Sequence, residues 1–168
     1  MGCLRLTNCS GRPRKLSATY YAEWVLGVNR QLTQMHVRTA RDASTGALTA
    51  RNSYHEDFPQ QVAFLHVLGG ADSITGDRGE FVGRNGLEAK PAALERASLS
   101  GTVGAGLDPC GAVQKTIDVP PGAVVELIFL LGWSDGATSV SELIKQFNSP
   151  DQAHEAIDHT MEFWQDAS

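Results

Sequence analysis

The sequence predicts a mainly β protein: a large antiparallel β-sandwich, whole or incomplete, followed by two C-terminal α-helices. Three observations carry this. Leu16–Leu26 alternates apolar and polar residues over eleven positions, the period of a strand with one packed face. Val62–Leu68 is apolar on both faces, as in a buried central strand, and Ala123–Trp133, after a Pro-Pro-Gly break, is the most apolar strand of all. Beyond residue 138 the apolar spacing changes to that of a helix.

Taken in order, Leu4–Asn8 is the first strand. In Leu16–Leu26 the residues Leu16, Ala18, Tyr20, Ala22, Trp24 and Leu26 share one face, and Ser17, Thr19, Tyr21, Glu23 and Val25 the mostly wet one. Such a strand runs on the order of 36 Å, against about 40 Å for the whole domain, and so suits a sheet larger than this chain finishes. His36–Arg41 and Ala47–Asn52 flank "DASTG", a hairpin loop whose Gly46 can take the left-handed bend. Val62–Leu68 is expected to be central. Val113–Val119 alternates again with Gln114, Thr116 and Asp118 outward, and Pro120-Pro121-Gly122 breaks the chain before Ala123–Trp133. Gly83–Pro109 is read as a long ordered loop. Ser139 and Glu142 form a capping-box pattern ahead of Val140, Leu143, Ile144 and Phe147. Ser149-Pro150-Asp151-Gln152 starts a second helix whose stripe of Ala153, Ile157, Met161 and Trp164 is read as core packing, with Trp164 finding its partner elsewhere. The expected division is a sandwich over 1–134 and a helical linker over 138–166.

Composition excludes some functions. The net charge of −5 argues against a nucleic-acid surface. No apolar run reaches the roughly 20 residues of a membrane span, and no signal peptide is expected from Met1–Leu6, which no apolar stretch follows. Cys3, Cys9 and Cys110 make no metal spacing and no even disulfide set, so reduced thiols in a cytoplasmic compartment are expected. The five histidines show no metal-ligand spacing either.

"TGDRGEFVGRNG", Thr75–Gly86, is the most distinctive stretch. It matches neither a phosphate loop nor the dinucleotide fingerprint, and no helix pattern begins there. Its four glycines suggest repeated tight bends, with Phe81-Val82 plugging the loop into the core and Asn85-Gly86 favouring a hairpin-type turn. Arg78 and Arg84 are then held in fixed poses, where a guanidinium fork matches carboxylate, phosphate or vicinal hydroxyls. The alternative is that Asp77 pairs with one arginine and merely ties down the bends. "YHEDF", Tyr54–Phe58, reads as a charged turn, and Tyr21 as the aromatic to watch on the polar face.

Several segments together, "LTNCSGRPRKLSATYYAEWVLG", "LTARNSYHEDFPQQVAF", "TGDRGEFVGRNG", "PAALERASLSGTVGAGLDPCGAVQ" and "VPPGAVVELIFLLG", resemble the N-terminal β-sandwich region of the glycoside hydrolase family 94 phosphorylases. "YAEWVLG" and "GAGLDPCGA" look most like the phosphorylase-like part of cyclic β-1,2-glucan synthases. The resemblance implies a sandwich, a helical linker and then an (α/α)6 barrel that supplies the general-acid aspartate. It also implies inorganic phosphate as co-substrate, attacking with inversion. No residue here matches that acid, so the chain by itself is expected to be non-catalytic and to use no cofactor or metal. It is expected to work beside a catalytic barrel in cis or trans on a β-linked gluco-oligosaccharide or disaccharide, in a homodimer. A subunit or fragment of an active glycosyl-transferring inverting phosphorylase, completing a barrel made elsewhere, and a free-standing sugar-binding module are the other readings. In such proteins sandwich loops reach the barrel mouth, which implies that Arg78 and Arg84, held by Asp77 and Asn85, face sugar or phosphate.

Overall fold

The computed structural model describes residues 1–84, 86–135 and 138–166. Among these residues eight strands form two antiparallel sheets: β1 (Gly2–Thr7), β2 (Arg14–Glu23), β3 (Val37–Arg41), β4 (Leu48–Asn52), β5 (Val62–Val67), β6 (Ser73–Asp77), β7 (Pro109–Val119) and β8 (Val124–Ser134). The larger sheet runs β1-β8-β5-β4-β3 and the smaller β2-β7-β6. The helices are α1 (Arg30–Thr33), α2 (Arg78–Val82), α3 (Val140–Lys145) and α4 (Pro150–Asp166).

The sandwich core lies between the sheets. Leu48, Leu65, Val67, Leu127 and Phe129 of the larger sheet pack against Ile74 and Val113 of the smaller one, an area-driven contact of the kind that dominates folding. The outer face of the larger sheet is covered by α3 and the start of α4, through Phe64, Ile128 and Leu130 against Val140, Ile144 and Ala153. Strand β5 is therefore apolar on both faces and central. The outer face of the smaller sheet is covered by Phe81 and Val82 of α2, which pack with Cys110 and Ala112. The Gly46 bend has φ +70°, and the Ser139–Glu142 capping box forms with both of its bonds.

Some expectations need correction. The long strand ends at Glu23, because Trp24 leaves the ladder and turns into the core. A Cβ on Gly111 would lie 2.6 Å from Cζ2 of Trp24, so the glycine makes room for the indole. Leu16 is exposed at the strand's other end. Gln114 does point outward but is only 1% exposed. The segment after α2 covers it: Ser73 Oγ donates to Gln114 Oε1 at 3.0 Å and accepts from the Leu99 amide at 3.0 Å. That segment is ordered as expected, since Gly101 and Thr102 bond to β6 and Gly104 to Thr39 of β3, stitching one edge of each sheet. The stripe on α4 is core only at Ala153. Further along the helix passes beyond the sheet, and Met161 and Trp164 are exposed, with Phe163 edge-on to Trp164 at 5.4 Å.

Two outcomes follow from this packing. Gly111→Ala forces the Trp24 ring to shift and should cost about 1–3 kcal/mol in denaturant unfolding, as overpacked cores do. His66 on β5 is 7% exposed, and burial, only partly offset by the Asp42 carboxylate, holds its imidazole below the ordinary value. The fold favours neutral His66, so its contribution is full above the unfolded value of about 6.5 and is lost as pH falls through that value toward the lower folded one. The resistance of the wild type to urea should weaken from about pH 7.5 to about pH 5; in His66→Leu that part of the slope should vanish.

Candidate functional site

The site lies at one end of the smaller sheet, where central β7 begins. Glu23 at the end of β2 pairs with Cys110, and Asp77 at the end of β6 pairs with Pro109 across a register shift after Thr75. Both ends flank the same two residues of β7, so side chains leaving them converge.

Glu23 Oε1 accepts from Arg78 Nε at 2.5 Å and from the Tyr21 hydroxyl at 2.8 Å, and its other oxygen lies 3.3 Å from Arg30. Arg30 also pairs with Asp108 and donates to the Pro109 carbonyl at 3.2 Å. Arg78 reaches Glu88 at 2.8 Å and Asp108 at 3.8 Å. Two guanidinium groups thus meet three carboxylates. Burial alone would raise the Glu23 carboxyl, but hydrogen bonds from Arg78 and Tyr21 and the charges of Arg30 and Arg78 outweigh it and leave it below the ordinary value. Arg78 is pushed up, first by its hydrogen bonds to Glu23 and Glu88. Burial pushes the Cys110 thiol up to about 12, so it stays protonated, a packing residue rather than a nucleophile.

The glycine-rich stretch takes a specific shape. Strand β6 occupies its start, and a one-turn helix begins at Arg78, where the sequence showed no helix pattern. The reason is a local cap: Asp77 Oδ1 accepts from the Gly79 amide at 2.9 Å. Asp77 therefore holds α2 rather than an arginine, and the arginine-pairing role falls to Glu23, Glu88 and Asp108. Gly83 ends the helix at φ +91°, and the Gly86 amide closes onto the Gly83 carbonyl at 3.1 Å. A Cβ on Gly86 would collide with the Val82 carbonyl. Phe81 and Val82 are the expected plug, 3% and 2% exposed. Tyr21 lies flat on Phe81, ring centroids 4.6 Å apart and planes 9° apart, so its face is taken by packing. Arg84 is exposed and makes no ion pair among the described residues. Asn85 lies outside the described residues.

Beside this network is a pocket of about 650 Å³ lined by Glu23, Trp24, His55, Phe58, Gln61 and Trp133, among others. Strand β8 forms part of its wall. Strand β1 pairs with β8 only over Val124–Phe129, and the inward residues of β8 pass from Leu127 and Phe129, buried, to Leu131 and Trp133, the last 60% exposed. Phe58 is 52% exposed. Nδ1 of His55 accepts from the Asp57 and Phe58 amides at 3.2 Å each, so the neutral ring carries its proton on Nε2 and offers a donor. Sequence reading passed over Trp133 and Glu23. The signal was there for Glu23, the lone acid on the wetter face of an otherwise uncharged alternating run.

These features define a β-sandwich module with one open end that combines exposed aromatic faces, polar side chains and a glycine-fixed arginine loop. Residues 2–150 match the model of the glycosyl hydrolase 94 supersandwich domain, and the chain belongs to that family. It is 34% identical over 164 residues to the cyclic beta-(1,2)-glucan synthase NdvB of Rhizobium meliloti (strain 1021), covering 97% of this chain and 6% of that protein. It is 28% identical over 137 residues to the N,N'-diacetylchitobiose phosphorylase of Vibrio furnissii, covering 79% of this chain and 17% of that protein. The chain thus spans a small part of either relative. No helix among the described residues is long and apolar enough to cross a membrane.

The carboxylate at the centre of the network should reveal itself in stability. Glu23→Gln should lower unfolding free energy by about 1 kcal/mol near pH 7, a value discounted for solvent screening. Because the folded carboxyl is depressed, the difference from wild type should persist above the unfolded carboxylate value of about 4.3 and shrink as pH falls through the lower folded value.

Proposed function

We propose that this chain is the non-catalytic sandwich module of a glycosyl-transferring enzyme, and that its open end faces a β-linked sugar and the catalytic barrel that acts on it, in cis or trans. The observation that carries this is Arg84: an exposed guanidinium without an ion-pair partner among the described residues, on a turn fixed by Gly83 and Gly86 and anchored by Phe81 and Val82. Arg78 is a positioning residue. Its charge is neutralised by Glu23 and Glu88, so it orients the loop instead of meeting substrate. Helix α2 joins the two halves of the surface: its first residue holds Glu23 on the pocket wall, and its C-terminal turn carries Arg84. Inorganic phosphate is the co-substrate of the whole enzyme in this reading, and two-fold pairing of chains supplies part of the surroundings.

A second reading, a module that binds sugar on its own, is favoured by the pocket. The exposed faces of Trp133 and Phe58 can stack on pyranose rings, with the His55 Nε2–H and Gln61 beside them for hydroxyl groups. Titration with β-1,2-gluco-oligosaccharides and with cellobiose, followed by calorimetry, separates the two. The module reading expects millimolar or weaker binding by the isolated chain that a barrel-bearing partner tightens, with Arg84→Ala removing the gain. Binding abolished by Trp133→Ala and unchanged by Arg84→Ala favours the self-sufficient module. Phosphorolysis of a disaccharide by the purified chain alone would overturn both.

A further inference from the structure

Three metal-ligating side chains that lie far apart in sequence meet on the helix-covered face of the larger sheet. Cys3 Sγ, a carboxylate oxygen of Glu126 and an imidazole nitrogen of His154 all lie within 4.8 Å of one another, and His154 Nε2 is 3.0 Å from Glu126 Oε2. A different element fixes each. The β1–β8 register sets Cys3 opposite Ile128 and Arg5 opposite Glu126, which makes Cys3 and Glu126 diagonal neighbours on one face. Ala153, fully buried against that face, docks the first turns of α4 and brings the adjacent His154 over Glu126. The Ser149 hydroxyl, accepting from the Gln152 amide at 3.3 Å, fixes where that helix starts.

We propose that Cys3, Glu126 and His154 form a binding site for one zinc ion, with a fourth position for water or a further ligand. Thiolate, imidazole and carboxylate are the donors zinc takes, whereas magnesium and calcium favour oxygen alone. Tetrahedral bonds of about 2.0–2.3 Å hold ligand atoms roughly 3.3–3.8 Å apart. The observed spacing therefore closes by about 1 Å of side-chain rotation, which the exposed Cys3 and Glu126 allow. Cys3 loses its proton to solvent when the Zn–S bond forms, and no oxidation step is involved. Arg5 sits opposite Glu126 and opposes a cation, yet it forms no ion pair with it among the described residues, and Glu126 is left to His154. A bound ion would tie edge strand β1 to α4, elements far apart in the chain.

The untagged full chain should be titrated with zinc against a chromophoric chelator, and with cobalt(II), whose thiolate charge-transfer absorption reports sulfur coordination. The expected result is one metal per chain, the cobalt–thiolate absorption in wild type and its loss in Cys3→Ser. Zinc affinity should fall at least about tenfold in His154→Ala and Glu126→Gln. Cys9→Ser, which alters the other exposed thiol, should bind as wild type does. Zinc should also raise the melting temperature of wild type but not of Cys3→Ser. A cobalt complex of the wild type without thiolate absorption, zinc binding unchanged in Cys3→Ser, or no saturable binding would each overturn the site. The wild-type cobalt spectrum decides the matter even if a variant fails to fold.

Discussion

The ten-residue pairing of β2 with β7 is the constraint on which the open end depends. It runs without a break from Arg14 opposite Val119 to Glu23 opposite Cys110, and strand register of this kind is fixed because a slip by one residue would exchange the two faces. With β2 locked, Glu23 stands at one side of the start of β7. On the other side, β6 shifts register between Thr75 and Asp77, and such irregularities re-aim the residues that follow. Arg78 leaves the sheet there and meets Glu23 across the central strand. Without the shared strand between them, neither residue has a reason to find the other.

That geometry also divides the labour between the two arginines. A guanidinium with carboxylate partners at 2.5 and 2.8 Å has its donors engaged and its charge compensated, so it fixes structure and offers little to an incoming anion. Arg84 has none of these partners among the described residues. Its position is nevertheless determined, by backbone: a left-handed glycine before it, a hydrogen bond from Gly86 and a pair of buried side chains on the preceding turn. Holding a charged group by its backbone leaves its donors available while lowering the entropy lost on binding. The glycines are thus not slack.

Much of the architecture was legible because it is local. Alternation marked β2, the two-sided apolar run marked β5, and the Ser139–Glu142 pattern marked where α3 begins. What escaped was set by distant partners. Strand β6 carries Gly76 and follows a Gly-Gly pair, a composition that reads as loop. It is a strand because β7 and the Gly101–Thr102 backbone bond to it on either side. A Cβ at Gly76 would strike Thr39 of the facing sheet, so the residue that weakens the local signal is the one the packing requires. Gln114 kept its predicted direction and lost its predicted solvent for the same reason: a covering segment is invisible in alternation. The glycine frame around Arg84 was legible in the sequence, whereas the partners of Arg78 come from β2, from Asp108 just before β7 and from the turn after α2, which only the folded chain assembles.

The pocket and the α4 stripe share one pattern. Along β8 and along α4 the residues on the packed side pass from buried to exposed: Leu131 and Trp133 on the strand, Met161 and Trp164 on the helix. Their alternation or helical spacing correctly names the face and says nothing about where the opposing layer stops. Exposed aromatic faces are energetically expensive to leave in water, so covering them is favourable. In the sugar-binding reading proposed above, a cover at Trp133 would have to accommodate Gln61 and the Nε2–H of His55 as well. A hydroxyl-bearing ring meets that demand better than a purely aliphatic surface, because it can stack on the indole and still satisfy the polar groups beside it.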